Sequence, residues 1–231
     1  KYTDSIGYLP SGLPAFRQAS GKVQSALRLD FSLSVPSSCS EMLPDELSLF
    51  LGAELSKSSG LLFLLASECV GVVCHSYENP KQWHYTLKAK PEQAGFNEDE
   101  ALSFNLDKSV SAFRILQEYA RLPEKFLFVT QKEIKQAIQK AEKEGHLSKV
   151  PEQLEEIVSD KGINKKVITY RKRYFSLSFL FKNKIPELME LVGTEDFSVN
   201  AVPVVNLFRK RSSRFPVNMQ DREHHVVIDR T

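Results

Sequence analysis

Three clusters in this 231-residue chain hold the residue types from which catalytic, metal or phosphate sites are built. The first is CVGVVCH, with Cys69, Cys74 and His75. A c-type haem needs two residues between its cysteines, and here there are four. Zinc would need a second ligand pair, and none stands at suitable spacing. Two cysteines packed as small hydrophobes, one at a helix end and one in a strand, account for the stretch more simply. The second cluster, DREHHVVID, gathers Asp221, Glu223, His224, His225 and Asp229. These are groups for a general base or a metal ion. On a strand, however, adjacent His224 and His225 point to opposite faces and cannot share a ligand. A polar turn leading into a strand is the simpler reading. The third, FRKRSSRF, brings together Arg209, Lys210, Arg211 and Arg214, as phosphate contacts require. A pI of about 8.4 falls short of a nucleic-acid footprint, and an acidic protein partner suits that loop as well.

Cofactor fingerprints are absent: the chain contains no GxGxxG, P-loop, HExxH or GxSxG. No catalytic, metal-binding or cofactor-binding residue is assigned, and no cofactor, small-molecule substrate or nucleic acid is expected. The charge is balanced, with 31 basic against 29 acidic residues. Three cysteines do not make an even disulfide framework, which suits a reducing compartment. The longest apolar run, LLFLLA, is far short of the ~20 residues that span a bilayer, so no direct membrane insertion is expected. No signal peptide is visible. A start at Lys1 and an end in HHVVIDRT suggest a piece of a longer protein.

The elements that would position these residues follow from hydrophobic period. ALRLDFSLSV alternates Leu27, Leu29, Phe31, Leu33 and Val35 against polar residues, and ELSLFLG repeats this with Leu47, Leu49 and Leu51. Residues 54 to 69 switch to a helical period, with Leu62, Leu65, Ala66 and Cys69 on one face and Gly71 near the end. VGVVCHSY and WHYTLKAK flank ENPKQ as a hairpin, with Trp83, Tyr85 and Leu87 sharing a face. In SAFRILQEYARLPEKFLFVTQ, the residues Ala112, Ile115, Leu116 and Tyr119 stand at i, i+3, i+4 and i+7. Pro123 stops that helix at Leu122, and KFLFV follows as a short strand. Thr130 and Glu133 have capping-box spacing for a helix burying Ile134, Ala137, Ile138 and Ala141, closed by Gly145. Pro151 is placed to begin a short helix through Val158. VITYRKRYFSLSFLFK is a strand too long to run unbroken, so a bulge or bend is expected near Lys172 to Tyr174. A helix from Pro186 to Val192, an edge strand ahead of Pro203 and a last strand in HHVVID complete the reading. About eight strands and five flanking helices, without a regular β-α-β beat, imply one α+β domain over residues 1–231. Its sheets should be mainly antiparallel, with a sandwich-like core.

Several stretches, taken together, resemble the TssF family of type VI secretion system baseplate proteins. RILQEYARLPEKFLFV is similar to the family's leucine-rich helix, E-Y pair and P-E-K-F-L-F run, through Leu116, Glu118, Tyr119, Pro123, Glu124, Lys125, Phe126, Leu127 and Phe128. PVVNLFRKRS resembles its P-V-x-N-L-F stretch, through Pro203, Asn206, Leu207 and Phe208. AGFNEDEAL fits G-F-x-x-x-E-x-L, and LRLDFSL fits an L-R-L strand. The resemblance runs from about Ala26 onward and covers the interior of a longer family protein. It departs at RFPVNMQDREHHVVID, where the family continues with a P-I-R-L-D-like stretch and a Y-R-V strand. The resemblance implies a non-enzymatic role in a baseplate wedge of a phage-tail-like contractile machine. The implied partners are TssG, a second TssF copy, TssK, TssE and the spike complex, in the bacterial cytoplasm at the inner membrane. Phe126 and Phe128 are then expected as core anchors and Asn206 as a partner for backbone groups at a strand end. The alternative, that these residues serve core packing alone, is favoured over direct contact with a partner. A β-rich ligand- or peptide-binding module, with Trp83, His84 and Tyr85 lining a face, is the alternative. An enzyme built on Asp221, His224 and Asp229 ranks third.

Overall fold

In the computed structural model, the residues described are 1–10, 13, 23–103, 111–150, 152–160, 163–188, 191–206 and 214. Alternation makes the first sheet. β2 (Ser25–Leu33) and β4 (Cys69–Ser76) flank β10 (Arg173–Phe181), whose Phe175, Leu177, Phe179 and Phe181 are all buried. With β1 (Tyr2–Thr3) and β5 (His84–Leu87) at its edges, the order is β1-β2-β10-β4-β5, and every pairing is antiparallel. The second sheet, β11-β3-β7-β6, joins β3 (Glu46–Leu51) and β7 (Phe128–Lys132) at its centre. β6 (Glu92–Gln93) and β11 (Phe197–Val199) are its short, antiparallel edges. One hydrophobic core joins the two sheets through Leu47, Leu49, Leu51 and Val129 on one side and Leu27, Val72, Cys74 and the β10 residues on the other. A smaller cluster of Leu9, Leu13, Ala26, Val73 and Leu180 packs together on residues of opposite phase.

Four α-helices occur among the described residues: α1 (Cys39–Met42), α2 (Leu55–Phe63), α3 (Ser111–Arg121) and α4 (Ile134–Lys143). α4 buries Ile134, Ala137, Ile138 and Ala141 as the period requires. Gly145 (φ 78°) ends it in a Schellman turn, where His146 N–H reaches the Ala141 carbonyl and Gly145 N–H that of Glu142. The Glu142 carboxylate accepts the Cys39 and Ser40 amides and the Ser40 hydroxyl, tying α1 to α4.

The fold is α+β with mainly antiparallel sheets, as the sequence implied, with eleven strands and four α-helices among the described residues. Several boundaries differ. A π-helical turn, Leu64–Glu68, follows α2, so Leu61, Leu64 and Leu65 face inward while Ala66 is exposed. Cys69 and Gly71 already belong to β4. Thr130 does not cap α4, because β7 holds it extended opposite Ser48 and Glu92. Glu133 is the N-cap instead, in the left-handed region, and its carboxylate accepts the Lys88 and Ala89 amides. The strand after Pro123 begins only at Phe128, since Pro123–Phe126 forms a 3-10 turn. The helix expected through Val158 is a strand: β8 (Gln153–Asp160) pairs residue by residue with β9 (Ile163–Tyr170). An isolated helix that short is marginal, whereas pairing with the β-branched run of β9 satisfies every second backbone group. The expected break near Lys172 is present between β9 and β10. Arg173 clamps it by donating to the carbonyls of Val35, Ser37, Ser148 and Lys149. Pro186–Leu188 is a single 3-10 turn, and β11 is an edge strand as expected. HHVVID, with Asp221, His224, His225 and Asp229, lies outside the described residues, as do Pro151 and the basic stretch apart from exposed Arg214.

A candidate assembly surface where separated motifs meet

Pro123 ends α3 and starts the 3-10 turn, which turns the chain back beside the helix it has just left. That reversal puts the Lys125 ammonium against the Glu118 carboxylate, with both side chains out of water. Glu118 also accepts the Leu102 and Ser103 amides, at 3.0 and 2.9 Å, and the Ser103 hydroxyl at 2.6 Å. Burial alone would raise the Glu118 carboxyl. The Lys125 ammonium, the Ser103 hydroxyl and the two amides outweigh it and hold the pKa down at about 2.

The AGFNEDEAL segment is fixed by the same neighbours. Gly95 has φ 106°, and a Cβ there would stand 3.0 Å from the Lys125 carbonyl oxygen, so only glycine fits without strain. The Glu100 carboxylate accepts the Gly95 and Asn97 amides and closes the turn. The Phe96 and Tyr119 rings both pack on Phe126, with centroids 5.1 and 5.6 Å away. Residues from 95 to 126 that carry the resemblance are therefore bonded to one another.

The Pro203 stretch closes the cluster. Ala201, Val202 and Pro203 line a cleft of about 400 Å³ with Gly95, Glu100, Leu102, Lys125 and Phe128. Val205 and Asn206 line a second, of about 260 Å³, with Leu102, Ser103, Glu118, Arg121 and Leu122. Val202, Val204 and Val205 are exposed.

The sequence-derived residues divide sharply by burial. Glu118, Lys125, Phe126 and Phe128 are buried; Glu124 is exposed and Pro123 half-buried. Pro203 is half-buried and Asn206 exposed, while Leu207 and Phe208 lie outside the described residues. α3 is turned the opposite way from a core helix. Leu116 and Tyr119 are 65% and 58% exposed, and the buried side is Arg114 and Glu118. Gly95 and Glu100 are the glycine and glutamate of the G-F-x-x-x-E-x-L match, whereas Arg114 and Ser103 were not singled out from sequence. The i, i+4 spacing of Arg114 and Glu118 was the available signal. Arg114 Nη1 stands 3.9 Å from Glu118, and its guanidinium nitrogens have no hydrogen-bond partner among the described residues.

The other candidates serve packing. Cys39, Cys69 and Cys74 are buried free thiols, and burial pushes Cys69 up to about 11 and Cys74 further. His75 is fully buried, its Nδ1 2.8 Å from the Ser76 carbonyl and its Nε2 2.9 Å from the Ser178 hydroxyl. Trp83 is in the core, with Tyr85 packed beside it and bonded to Glu144. His84 and Tyr85 do border a groove of about 510 Å³ against α4. Among the described residues, no group of three metal-ligating side chains converges, and no helix is long and apolar enough to cross a membrane.

The two-sheet α+β scaffold thus carries a buried, hydrogen-bonded cluster around Glu118 beneath an exposed apolar helix face. The chain belongs to the TssF family of the type VI secretion system, whose family model it matches over residues 7–231. It is 28% identical over 137 residues to the type VI secretion system component TssF1 of Pseudomonas aeruginosa, covering 59% of this chain and 17% of that protein. Its fold matches a chain of the type VI secretion TssK-TssF-TssG baseplate subcomplex, solved by cryo-electron microscopy, with a TM-score of 0.56 and 22% identity. That match covers 84% of this chain and 31% of the other. The chain thus spans about a third or less of the length of the relatives it matches.

Proposed function

We propose that this chain is a non-enzymatic structural part of a type VI secretion baseplate wedge. In this reading it assembles with TssG and a second TssF copy, and is linked to TssK, TssE and the spike complex. It works in the bacterial cytoplasm, docked at the inner membrane through the baseplate. The observation that carries the reading is the convergence of residues 94–103 and 111–128 on one bonded cluster, with residues 201–206 lining clefts beside it, that ends at an exposed apolar surface. Membership of the TssF family and the fold shared with the baseplate subcomplex support it. The ligand-binding alternative draws little support, since Trp83 and Tyr85 are engaged in packing and in the Glu144 hydrogen bond.

Light scattering on this chain mixed with TssG of the same secretion system tests the reading. A stable heteromer is expected. Two species that elute independently at all ratios would overturn the assignment of wedge contacts to this part of the family protein.

A further inference from the structure

β1 stops where β2 goes on. Tyr2 pairs with Leu27 and Thr3 with Ala26. The Lys1 amino nitrogen donates to the Arg28 carbonyl at 2.6 Å, and the Arg28 N–H donates to the Lys1 carbonyl at 2.8 Å. Beyond Arg28, β2 continues to Leu33 and is paired on one side only, with β10. Along an antiparallel strand, successive residues turn their amide and carbonyl to opposite neighbours. Arg28 turns its pair toward β1, so Asp30 and Ser32 turn theirs the same way. No other described residue bonds to those backbone groups.

This open edge borders a cleft of about 490 Å³ between the two sheets. Leu29 and Phe31 line it from β2, and Leu49, Val192, Phe197 and Val199 line it from the facing side. Phe197 and Val199 belong to β11, which is itself the last strand of its sheet. Two sheet ends therefore stand over one apolar seam. Leu29, Phe31 and Leu33 pack on the core there but stay half-buried, whereas Leu27, opposite Tyr2, is wholly buried. An apolar strand edge left bare in this way invites another strand.

Register decides which strand fits. Continued backward past Lys1, β1 would set the first five upstream residues opposite Leu29, Asp30, Phe31, Ser32 and Leu33 in turn. Cross-strand partners share a face, so the first, third and fifth side chains would enter the seam beside Leu29, Phe31 and Leu33. The second and fourth residues would exchange backbone bonds with Asp30 and Ser32. The relatives carry the extra length such a strand needs, since this chain covers 17% of one and 31% of another.

We infer that the segment immediately preceding Lys1 in the whole protein lengthens β1 along residues 29–33 and closes the seam between the two sheets. Its first, third and fifth residues, counted back from Lys1, are apolar. This goes beyond the wedge reading and does not depend on it.

Two measurements on the whole protein test it. Hydrogen exchange at the Asp30 and Ser32 amides should be about a hundredfold slower, or more, than in residues 1–231 alone. Leu29→Cys, combined with a cysteine at the residue just before Lys1, should form an intramolecular disulfide on mild oxidation. That pair is of the non-hydrogen-bonded kind, whose Cα atoms stand about 4.5 Å apart, within disulfide reach. Moving the upstream cysteine one residue further back should abolish the bond, because that side chain points to the other face. The native thiols Cys39, Cys69 and Cys74 are buried and do not compete. The exchange measurement uses the unsubstituted protein, so it decides the matter even where Leu29→Cys impairs folding. Fast exchange at Asp30 and Ser32 in the whole protein would overturn the proposal. Protected amides without the disulfide would assign the seam to some other strand, and a disulfide joining two molecules would assign it to a second copy; each result overturns it as well.

Discussion

The Lys125 ammonium and the Glu118 carboxylate form an ion pair whose side chains are 1% and 5% exposed, seven residues apart across the Pro123 turn. It joins α3 to the 3-10 turn that precedes β7, and Glu118 extends it to Leu102 and Ser103. The pair is a rivet through three chain segments rather than a surface decoration.

Removing one partner should cost more than removing both. Glu118→Leu leaves Lys125 and Arg114 buried without their carboxylate and should destabilise by about 3–5 kcal/mol. Adding Lys125→Met should recover part of that loss. Urea unfolding of the two single variants and the double gives the coupling; strictly additive losses would show that the pair is not a unit.

Acid should unfold this protein in two windows. The Ser76 carbonyl can only accept, so His75 Nδ1 carries the proton and Nε2 accepts from Ser178, which accepts in turn from Tyr8. Burial keeps that ring neutral and lowers its pKa from 6.5 to about 4. The unfolded chain therefore takes up a proton that the fold refuses. Stability is flat above pH 6.5 and falls by up to about 3 kcal/mol as pH drops toward 4. Glu118, lowered to about 2, gives stability present above its ordinary pKa of 4.5 and lost as pH falls toward 2. His75→Gln should flatten the upper window and leave the lower, measured by urea midpoints across pH.

Gly95→Ala should destabilise by about 1–3 kcal/mol, the usual cost of a strained backbone. Both its φ of 106° and the 3.0 Å approach of the Lys125 carbonyl oppose a Cβ. Thermal unfolding checks this, and hydrogen exchange at the Gly95 and Asn97 amides, which Glu100 now holds, should quicken.

The two sides of the Pro123 turn should respond differently to truncation. Phe126→Ala and Phe128→Ala, both buried, should each cost about 3–5 kcal/mol. Leu116→Ala, at an exposed position, should stay within about 0.5 kcal/mol in a monomer. Chemical denaturation at low protein concentration separates the two classes.

Strictly local physics was legible in the chain by itself. Alternation in ALRLDFSL, ELSLFL and YFSLSFLF fixes β2, β3 and β10, because a strand with one face in the core needs a period of two. Pro123 ends α3, and Gly145 closes α4, since each restricts or frees the backbone where it stands. The motifs that pointed to the TssF family could also be read in line, although not why they belong together. That was decided by tertiary structure. Apolar period alone would turn Leu116 and Tyr119 inward, but Glu118 finds Lys125, Ser103 and two amides on its own side, and a buried charge cannot be left without such partners. The side carrying Glu118 went in, taking Arg114 with it at 3.9 Å from the carboxylate, and the apolar side was left facing out. Likewise, Gln153–Asp160 became a strand because β9 offered a complete ladder, a partner that no window of eight residues contains.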